Sequence, residues 1–236
     1  MNPQNSRQEI DHLLDTASLS AVPEQRVKQI EGVMVANLRP VRPLASRGIY
    51  FAAFAGIFVA VCVASWLGIP ARGWQALSDL QRTLVFAPMI AIAALLAFSL
   101  VRQMTPADGY SRSTAMLAAS LFLWLLVFML LVFRPLPEPA FLYDAEGCFR
   151  MGMMFAIPAA IMVAWLFSRG APLHPGLAGA TAGGLAGLTG LAVLEIHCPI
   201  LNLYHILTAH VSVTLVCALL GYIFSSVTFP RWRSNP

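Results

Sequence analysis

Six long apolar stretches dominate the chain after Gly48. Each comes close to the roughly 20 residues that an α-helix needs to cross a bilayer at about 1.5 Å per residue. Backbone polar groups in lipid must be satisfied within their own segment, and the stretches lack the alternating polarity of barrel strands. We therefore predict an all-α polytopic membrane protein with six transmembrane helices at 49–69, 84–101, 115–133, 151–167, 176–196 and 203–224.

The composition supports the membrane class. Of the 236 residues, 58% are hydrophobic and 11% are charged, whereas soluble domains carry about 25% charged residues. Disordered and collagen-like chains are excluded because they lack apolar residues. A formal charge of +4 without a concentrated basic face gives no reason to expect direct contact with nucleic acid.

The charged residues divide the chain into two regions of different composition. The first 48 residues hold 11 of the 26 charged side chains and contain no apolar run of the kind found in a signal peptide. We predict a cytoplasmic partner-binding segment at 1–48, a six-helix transmembrane domain at 49–224 and a cytoplasmic tail at 225–236.

Arginines near the ends of the predicted helices orient the protein. Eight lie on the side of the N-terminus and four on the opposite side, and cytoplasmic loops carry the excess of positive charge. Both termini are therefore predicted to be cytoplasmic. The eight are Arg39, Arg42, Arg47, Arg102, Arg112, Arg169, Arg231 and Arg233, and the four are Arg72, Arg82, Arg134 and Arg150.

The N-terminal segment predicts two short amphipathic helices. The first follows a capping box that begins at Ser6, and the second runs from Pro23 to about Leu38. So few apolar positions cannot form a core of their own, so the stripes must be covered by a partner protein with a groove, by the membrane surface or by the protein's own loops. The apolar stripes consist of Ile10, Leu13, Leu14, Val27, Ile30, Met34 and Leu38.

Two cysteines fall in predicted periplasmic loops: Cys148 in the third loop and Cys198 in the fifth. The periplasm is oxidising, so the pair can form a disulfide. Closing a loop of about 50 residues would stabilise the closed form by roughly 4 kcal/mol in the chain-entropy model. Two unpaired thiols and a purely structural bond are the alternatives. Cys62 and Cys217 lie inside predicted helices, where a thiol usually serves as a small packing residue.

Histidines gather near the same membrane face. His197 and His205 lie close to Cys198 in sequence, and thiolate with imidazole suits zinc, cadmium or copper. A weak metal set would be Cys148, Cys198, His197 and His205, although the spacing matches no closed zinc motif. Inside the predicted helices, His210 is expected to hydrogen-bond across helices to a hydroxyl such as those of Thr208 or Ser212, and the carboxylate of Glu195 to reach the interface. Neither residue belongs to the predicted metal set.

The fifth predicted helix carries a ridge of small residues, with Gly179, Gly183 and Gly187 at four-residue spacing. Such a ridge lets another helix approach closely. The approaching helix belongs either to the same chain or to a second copy in a homo-oligomer.

Nothing in the sequence indicates an enzyme, because no catalytic motif of a hydrolase, metalloprotease or nucleotide-binding protein occurs. A small transporter or ion-handling protein using Glu195, His197, His205 and His210 is the alternative function. A membrane thiol oxidoreductase is disfavoured because the chain has no C-x-x-C pair.

Three sequence pieces suggest a family. They are NLRPVRPLASRG at 37–48, GCFRMGMMFAIPAAIMVAWLFSRGAPLHPGLAGATAGGLAGLTG at 147–190 and EIHCP at 195–199. From about residue 37 to 224 the chain resembles the negative regulator of sigma F (NrsF) family of bacterial membrane anti-sigma factors.

The resemblance implies an inner-membrane protein whose N-terminal segment holds an extracytoplasmic-function sigma factor away from RNA polymerase and releases it under stress. The family's periplasmic cysteine pair, associated with oxidants or heavy metals, would correspond to Cys148 and Cys198. No resident cofactor is implied beyond transient binding of a heavy metal. The N-terminal tail here is longer than the family pattern, which leaves open which of its two helices contacts the sigma factor.

Overall fold

The computed structural model describes residues 24–37, 45–104, 112–133, 141–170 and 172–233. The chain forms two compact units, Met1–Pro43 and Leu44–Pro236. In the first unit the described element is helix α1, Glu24–Asn37, close to the predicted helix at 23–38. The capping-box helix with Ile10, Leu13 and Leu14 lies outside the described residues, and so does Leu38.

Every secondary-structure element of at least three residues that the structure describes in the second unit is a helix. Its elements are α2 (Arg47–Gly68), α3 (Arg72–Ala76), α4 (Asp79–Met104), α5 (Arg112–Val132), α6 (Phe141–Phe167), α7 (Pro175–His197), α8 (Leu203–His205), a π-helical segment (Ile206–Val211) and α9 (Ser212–Arg233). The last three are consecutive and form one long helix with a wider turn inside it. The all-α prediction is thus confirmed for the described part of the chain.

Five of these helices are long and apolar enough to cross a membrane: Arg47–Gly68, Asp79–Met104, Ala145–Phe167, Pro175–His197 and Leu203–Thr228. They coincide with five of the six predicted transmembrane segments. The remaining segment corresponds to α5, whose described apolar part, Ala119–Val132, is shorter. Five helices therefore support a membrane protein, and the sixth crossing stays a prediction.

Two predicted boundaries differ from the structure. Helix α6 begins at Phe141 rather than near residue 151, because the helix continues beyond its apolar part into charged sequence. An i,i+4 ion pair between Glu146 and Arg150, with 3.4 Å between Oε1 and Nη1, supports this extension. Cys148 consequently lies on a helix rather than in a loop. At the other end of the chain, α9 continues to Arg233, past the predicted end at 224.

Helix α7 forms the centre of the second unit. In its most apolar window 89% of residues are buried, against 17–44% in the other four candidate spans. Its own small residues allow this, because they let neighbouring helices approach the α7 backbone. Large apolar side chains from the surrounding helices fill the remaining core, among them Phe54, Met89, Leu100, Leu125 and Met129.

Close contacts define the two ends of the helix bundle. At one end, Gly170, just after α6, packs so closely on Met104 that an added Cβ would lie 2.7 Å from the Met104 Cβ. At the opposite end, Gly73 of α3 packs against the backbone carbonyls of Glu195 and Cys198, where an added Cβ would lie 2.6 Å from each oxygen. The end with Gly73 therefore also holds the C-terminus of α7 and the cysteine that follows it.

Candidate functional site

The two periplasmic-loop candidates, Cys148 and Cys198, meet at the end of the bundle marked by Gly73. Cys148 lies on the first part of α6 and is half-buried, whereas Cys198 directly follows α7 and is buried. The backbone N–H of Cys198 donates to the Leu194 carbonyl at 2.8 Å, which ties the cysteine to the last turn of α7. The two Sγ atoms lie 3.4 Å apart as free thiols.

His205 lies beside these two sulfurs. It is fully buried, and its Nε2 lies 3.4 Å from Cys198 Sγ. The side chain of Asn202 positions this turn, because its Oδ1 accepts a hydrogen bond from the Tyr204 backbone N–H at 3.0 Å and so caps the helix. Cys198 and His205 are thus held on either side of a short connection between two helices.

A buried carboxylate–imidazole pair lies next to Cys148, Cys198 and His205. Glu195 Oε1 lies 2.8 Å from His210 Nδ1, and the two side chains are 2% and 1% exposed. The sequence suggested a hydroxyl partner for His210 and an interfacial position for Glu195, and both suggestions are wrong. The Thr208 hydroxyl instead donates to the Tyr204 carbonyl of its own helix, as helical threonines commonly do.

The π-helical segment brings the two histidines together. In an α-helix, residues five apart point about 140° away from each other, because each residue advances about 100°. The wider turn of a π-helix brings residues i and i+5 closer to one face. His205 and His210 accordingly stack edge to face, with 5.2 Å between ring centroids.

The resulting cluster consists of Cys148, Cys198, His205 and His210, and one potential ligand atom from each lies within 4.8 Å of all the others. His197, which belonged to the predicted metal set, lies next to the cluster but points elsewhere. Its Nδ1 is 3.1 Å from the Pro70 carbonyl oxygen, on the connection between α2 and α3. His210 therefore occupies the place that sequence adjacency suggested for His197.

The thiol of Cys198 is held in its protonated form. Its hydrogen bond with the Cys148 sulfur, followed by burial, raises the pKa of the Cys198 thiol above its usual range. A buried, protonated thiol is a poor nucleophile. Its chemistry in the resting protein therefore depends on what reaches its neighbour Cys148, which is the more exposed of the two.

Sequence reasoning did not place His210 and Glu195 beside the cysteine pair. The available signal was an ionisable pair within two consecutive apolar helices, since charged groups inside a membrane protein are costly and usually carry function. Their separation of 15 residues matches no linear motif, so contact between them depends on the turn between α7 and the last long helix.

The glycines of the predicted ridge pack against the backbone of the last long helix. An added Cβ at Gly183 or Gly179 would overlap the carbonyl oxygen of Cys217 or Gly221 respectively, and one at Gly187 would lie 2.6 Å from the Thr214 Cα. The ridge thus faces α9 of the same chain. The other two cysteines serve packing positions, with Cys217 Sγ 3.8 Å from Met153 Sδ.

The partner-binding candidates in the first unit are apolar and solvent-exposed where the structure describes them. Val27 and Ile30 of α1 are each about half exposed. They are three residues apart, and so lie on neighbouring turns along one side of the helix. Met34 follows within the same helix. An exposed apolar stripe of this kind needs a partner to cover it.

Comparison with known proteins adds one match. The family model described as NrsF, negative regulator of sigma F, matches residues 34–232. The match therefore includes residues 44–232 of the second unit and all four residues of the cluster. No curated protein and no solved structure matches the chain.

Proposed function

The chain belongs to the negative regulator of sigma F family, and we propose from this premise that it is a bacterial inner-membrane anti-sigma factor that releases an extracytoplasmic-function sigma factor under periplasmic stress. A negative regulator of a sigma factor is a binding protein rather than an enzyme. Family membership also favours regulation over the alternative of a small transporter. The stress signal and the class of sigma factor are the parts that go beyond the family.

The observation that carries the stress signal is the 3.4 Å separation of the Cys148 and Cys198 sulfurs. A disulfide has an S–S length of about 2.05 Å, so a small shift of the two helix ends would allow the bond. With hydrogen peroxide as oxidant, the two thiols lose two protons and two electrons, an S–S bond forms and the peroxide is reduced to two water molecules. Oxidation would thereby link α6 to the end of α7.

The stress signal requires the cysteines to face the periplasm. The positions of the helix ends support a sixth crossing, which such a topology needs. Met104 at the end of α4 contacts Gly170 after α6, whereas the start of α6 contacts the end of α7 through the cysteines. The chain between Met104 and Phe141 must therefore pass from one end of the bundle to the other, and α5 is the helix available to do so. We propose that α5 is the sixth transmembrane helix and that both termini are cytoplasmic.

The exposed stripe of α1 is the proposed contact for the sigma factor. Val27 and Ile30 would insert into a groove of the partner, as amphipathic helices commonly do. Oxidative release would then be an event in the membrane unit that is read out through loss of this contact.

Repression of a sigma-dependent reporter tests the proposal. The full chain is co-expressed with each extracytoplasmic-function sigma factor of the same genome, and promoter activity is measured with and without it. One sigma factor should be repressed and should co-purify with the chain. The double variant Val27→Glu/Ile30→Glu should weaken binding at least about tenfold, because apolar anchors dominate such interfaces.

The matched control is Gln25→Glu/Gln29→Glu, which adds the same charge to the opposite face of α1 and should leave repression intact. Repression of none of the sigma factors by the wild-type chain would contradict the proposal. Equal loss in both double variants would show that charge, rather than the apolar stripe, controls binding.

A further inference from the structure

We propose that Cys148, Cys198, His205 and His210 form a tetrahedral binding site for a soft divalent cation such as Zn²⁺ or Cd²⁺, with Glu195 as the residue that orients His210. The site deepens the proposed function. Its existence does not depend on that function, and only its role in regulation rests on it. Two sulfur and two imidazole ligands are a common set for zinc and its heavier relatives.

The distances suit such a cation. With metal–sulfur bonds of about 2.3 Å and metal–nitrogen bonds of about 2.0–2.1 Å, the edges of a tetrahedron are about 3.8 Å between sulfurs and about 3.6 Å between sulfur and nitrogen. The observed values are 3.4 Å between the two Sγ atoms and 3.4 Å between Cys198 Sγ and His205 Nε2. All four ligand atoms lie within 4.8 Å of one another. The two 3.4 Å separations would change by a few tenths of an ångström to seat the ion, and the widest separation would close by about an ångström.

A second, independent observation is an unpartnered imidazole nitrogen. His210 is 1% exposed, and its Nε2 makes no hydrogen bond of standard geometry with any residue that the structure describes. A buried polar atom without a partner is costly, and native structures usually satisfy it. Nδ1 of the same ring is already engaged by Glu195. Nε2 is therefore the nitrogen available to the cluster, and coordination of a cation would satisfy it.

Glu195 supplies the orientation that a metal-binding histidine requires. Its carboxylate accepts a hydrogen bond from Nδ1–H of His210 across 2.8 Å, which leaves the lone pair of Nε2 free for a metal. Histidine ligands commonly donate their second ring N–H to a carboxylate in this way. This arrangement explains why a carboxylate with an exposed fraction of only 2% lies at this place.

The π-helical segment supports the same conclusion. It places His205 and His210 on one face, whereas a regular α-helix would point them apart. Single π turns inside α-helices occur frequently at functional sites.

Binding of the cation forms two metal–sulfur and two metal–nitrogen bonds, and the two thiol protons leave to solvent. Half-buried Cys148 provides the side from which the ion enters.

Cobalt binding tests the site in the protein alone. The full chain is purified in detergent under reducing conditions and titrated with Co²⁺, whose tetrahedral thiolate complexes give a charge-transfer band in the near ultraviolet and strong visible bands. We expect one equivalent of Co²⁺ to bind with both signatures and Zn²⁺ to displace it. Cys148→Ser and His210→Asn should each abolish the tetrahedral bands. Glu195→Gln should keep the bands but weaken affinity by about 10–100-fold.

His197→Asn is the matched control, because His197 adjoins the cluster without contributing to it, and its binding should equal that of the wild type. Size-exclusion profiles of each variant report folding independently. Absence of tetrahedral cobalt bands in the folded wild-type chain would overturn the proposal, and so would full binding by His210→Asn. Because no sigma factor is present, failure here leaves the anti-sigma proposal intact, and loss of sigma repression would in turn leave the cobalt result intact.

Discussion

Thiol and imidazole groups that could bind a cation or react with an oxidant gather at one end of the bundle. Cys198 and His205 are buried, and Cys148 alone among the cysteine pair has substantial contact with solvent. An oxidant or a cation must therefore reach Cys148 first. The buried partner Cys198, whose pKa is raised, would react second, either by completing a disulfide or by losing its proton to a bound metal.

At the residue scale, the two cysteines should be equally necessary for the response to oxidant. We expect Cys148→Ser and Cys198→Ser each to retain repression of the sigma-dependent reporter and to abolish its induction by hydrogen peroxide, because a disulfide needs both sulfurs. Reporter activity before and after peroxide measures this, and thiol labelling of the purified chain reports the disulfide directly.

Cys217→Ser is the control for that experiment. Cys217 is also buried, but it packs against Met153 on the membrane-spanning part of the bundle. Its replacement should leave induction by peroxide unchanged. Normal induction in both Cys148→Ser and Cys198→Ser would rule out the thiol pair as the oxidant sensor.

At the scale of elements, α7 is the helix on which the others depend. Its glycines bring its backbone against α9, so the two helices pack without intervening side chains at Gly179 and Gly183. Small residues allow this approach in membranes, where helices gain no hydrophobic energy from leaving lipid and associate through close packing. Cys198 directly follows α7, and the π-helical segment directly precedes α9. The site therefore depends on the same packing.

A single methyl group should distinguish positions on α7. Gly183→Ala places a Cβ on the Cys217 carbonyl oxygen and should destabilise the fold by about 1–3 kcal/mol, since the backbone of α9 must move. Gly184→Ala is the control: its Cβ would lie 3.9 Å from Leu96 Cδ1, an ordinary contact, and stability should change little. Thermal unfolding in detergent measures both variants. Equal stability of the two would contradict the close packing of α7 on α9.

At the scale of the whole membrane unit, aromatic and arginine side chains mark both ends. At the end that holds the cysteines, the Arg82 guanidinium lies 5.2 Å from the centre of the Trp74 ring. At the opposite end, the Arg169 guanidinium lies 3.9 Å from the centre of the Trp165 ring. Tryptophan and arginine are typical of membrane–water interfaces. Apolar side chains farther along the helices, such as Leu123 and Ile161, are exposed and would face lipid.

Labelling from one side of the membrane tests the orientation of the whole chain. In a variant with all four native cysteines replaced by serine, Ser78→Cys and Ser168→Cys introduce single exposed thiols at opposite ends of the bundle. A membrane-impermeant maleimide added to spheroplasts should label Ser78→Cys and should label Ser168→Cys only after permeabilisation. The reverse pattern would invert the orientation, and labelling of both from outside would exclude opposite-face placement.

Much of the fold could be predicted from local sequence. Five predicted membrane helices and α1 appear near their predicted positions because a long apolar run or an amphipathic stripe is a property of consecutive residues. The start of α6 was misjudged because hydropathy marks where a helix enters lipid rather than where its hydrogen bonding begins. The cysteine pair follows from the predicted topology alone, because both cysteines lie near predicted helix ends on the same side of the membrane.

The sequence by itself determined the class, an all-helical membrane protein, and it predicted an orientation from the arginines and two cysteines on one face. Each of these follows from counting residues along the chain, since a helix in lipid satisfies its own backbone. Only the tertiary structure decided that His210 and Glu195 join the cluster and that His197 does not. Those contacts depend on a π turn and on the packing of α6, α7 and the last long helix, and such geometry arises from atoms distant in sequence.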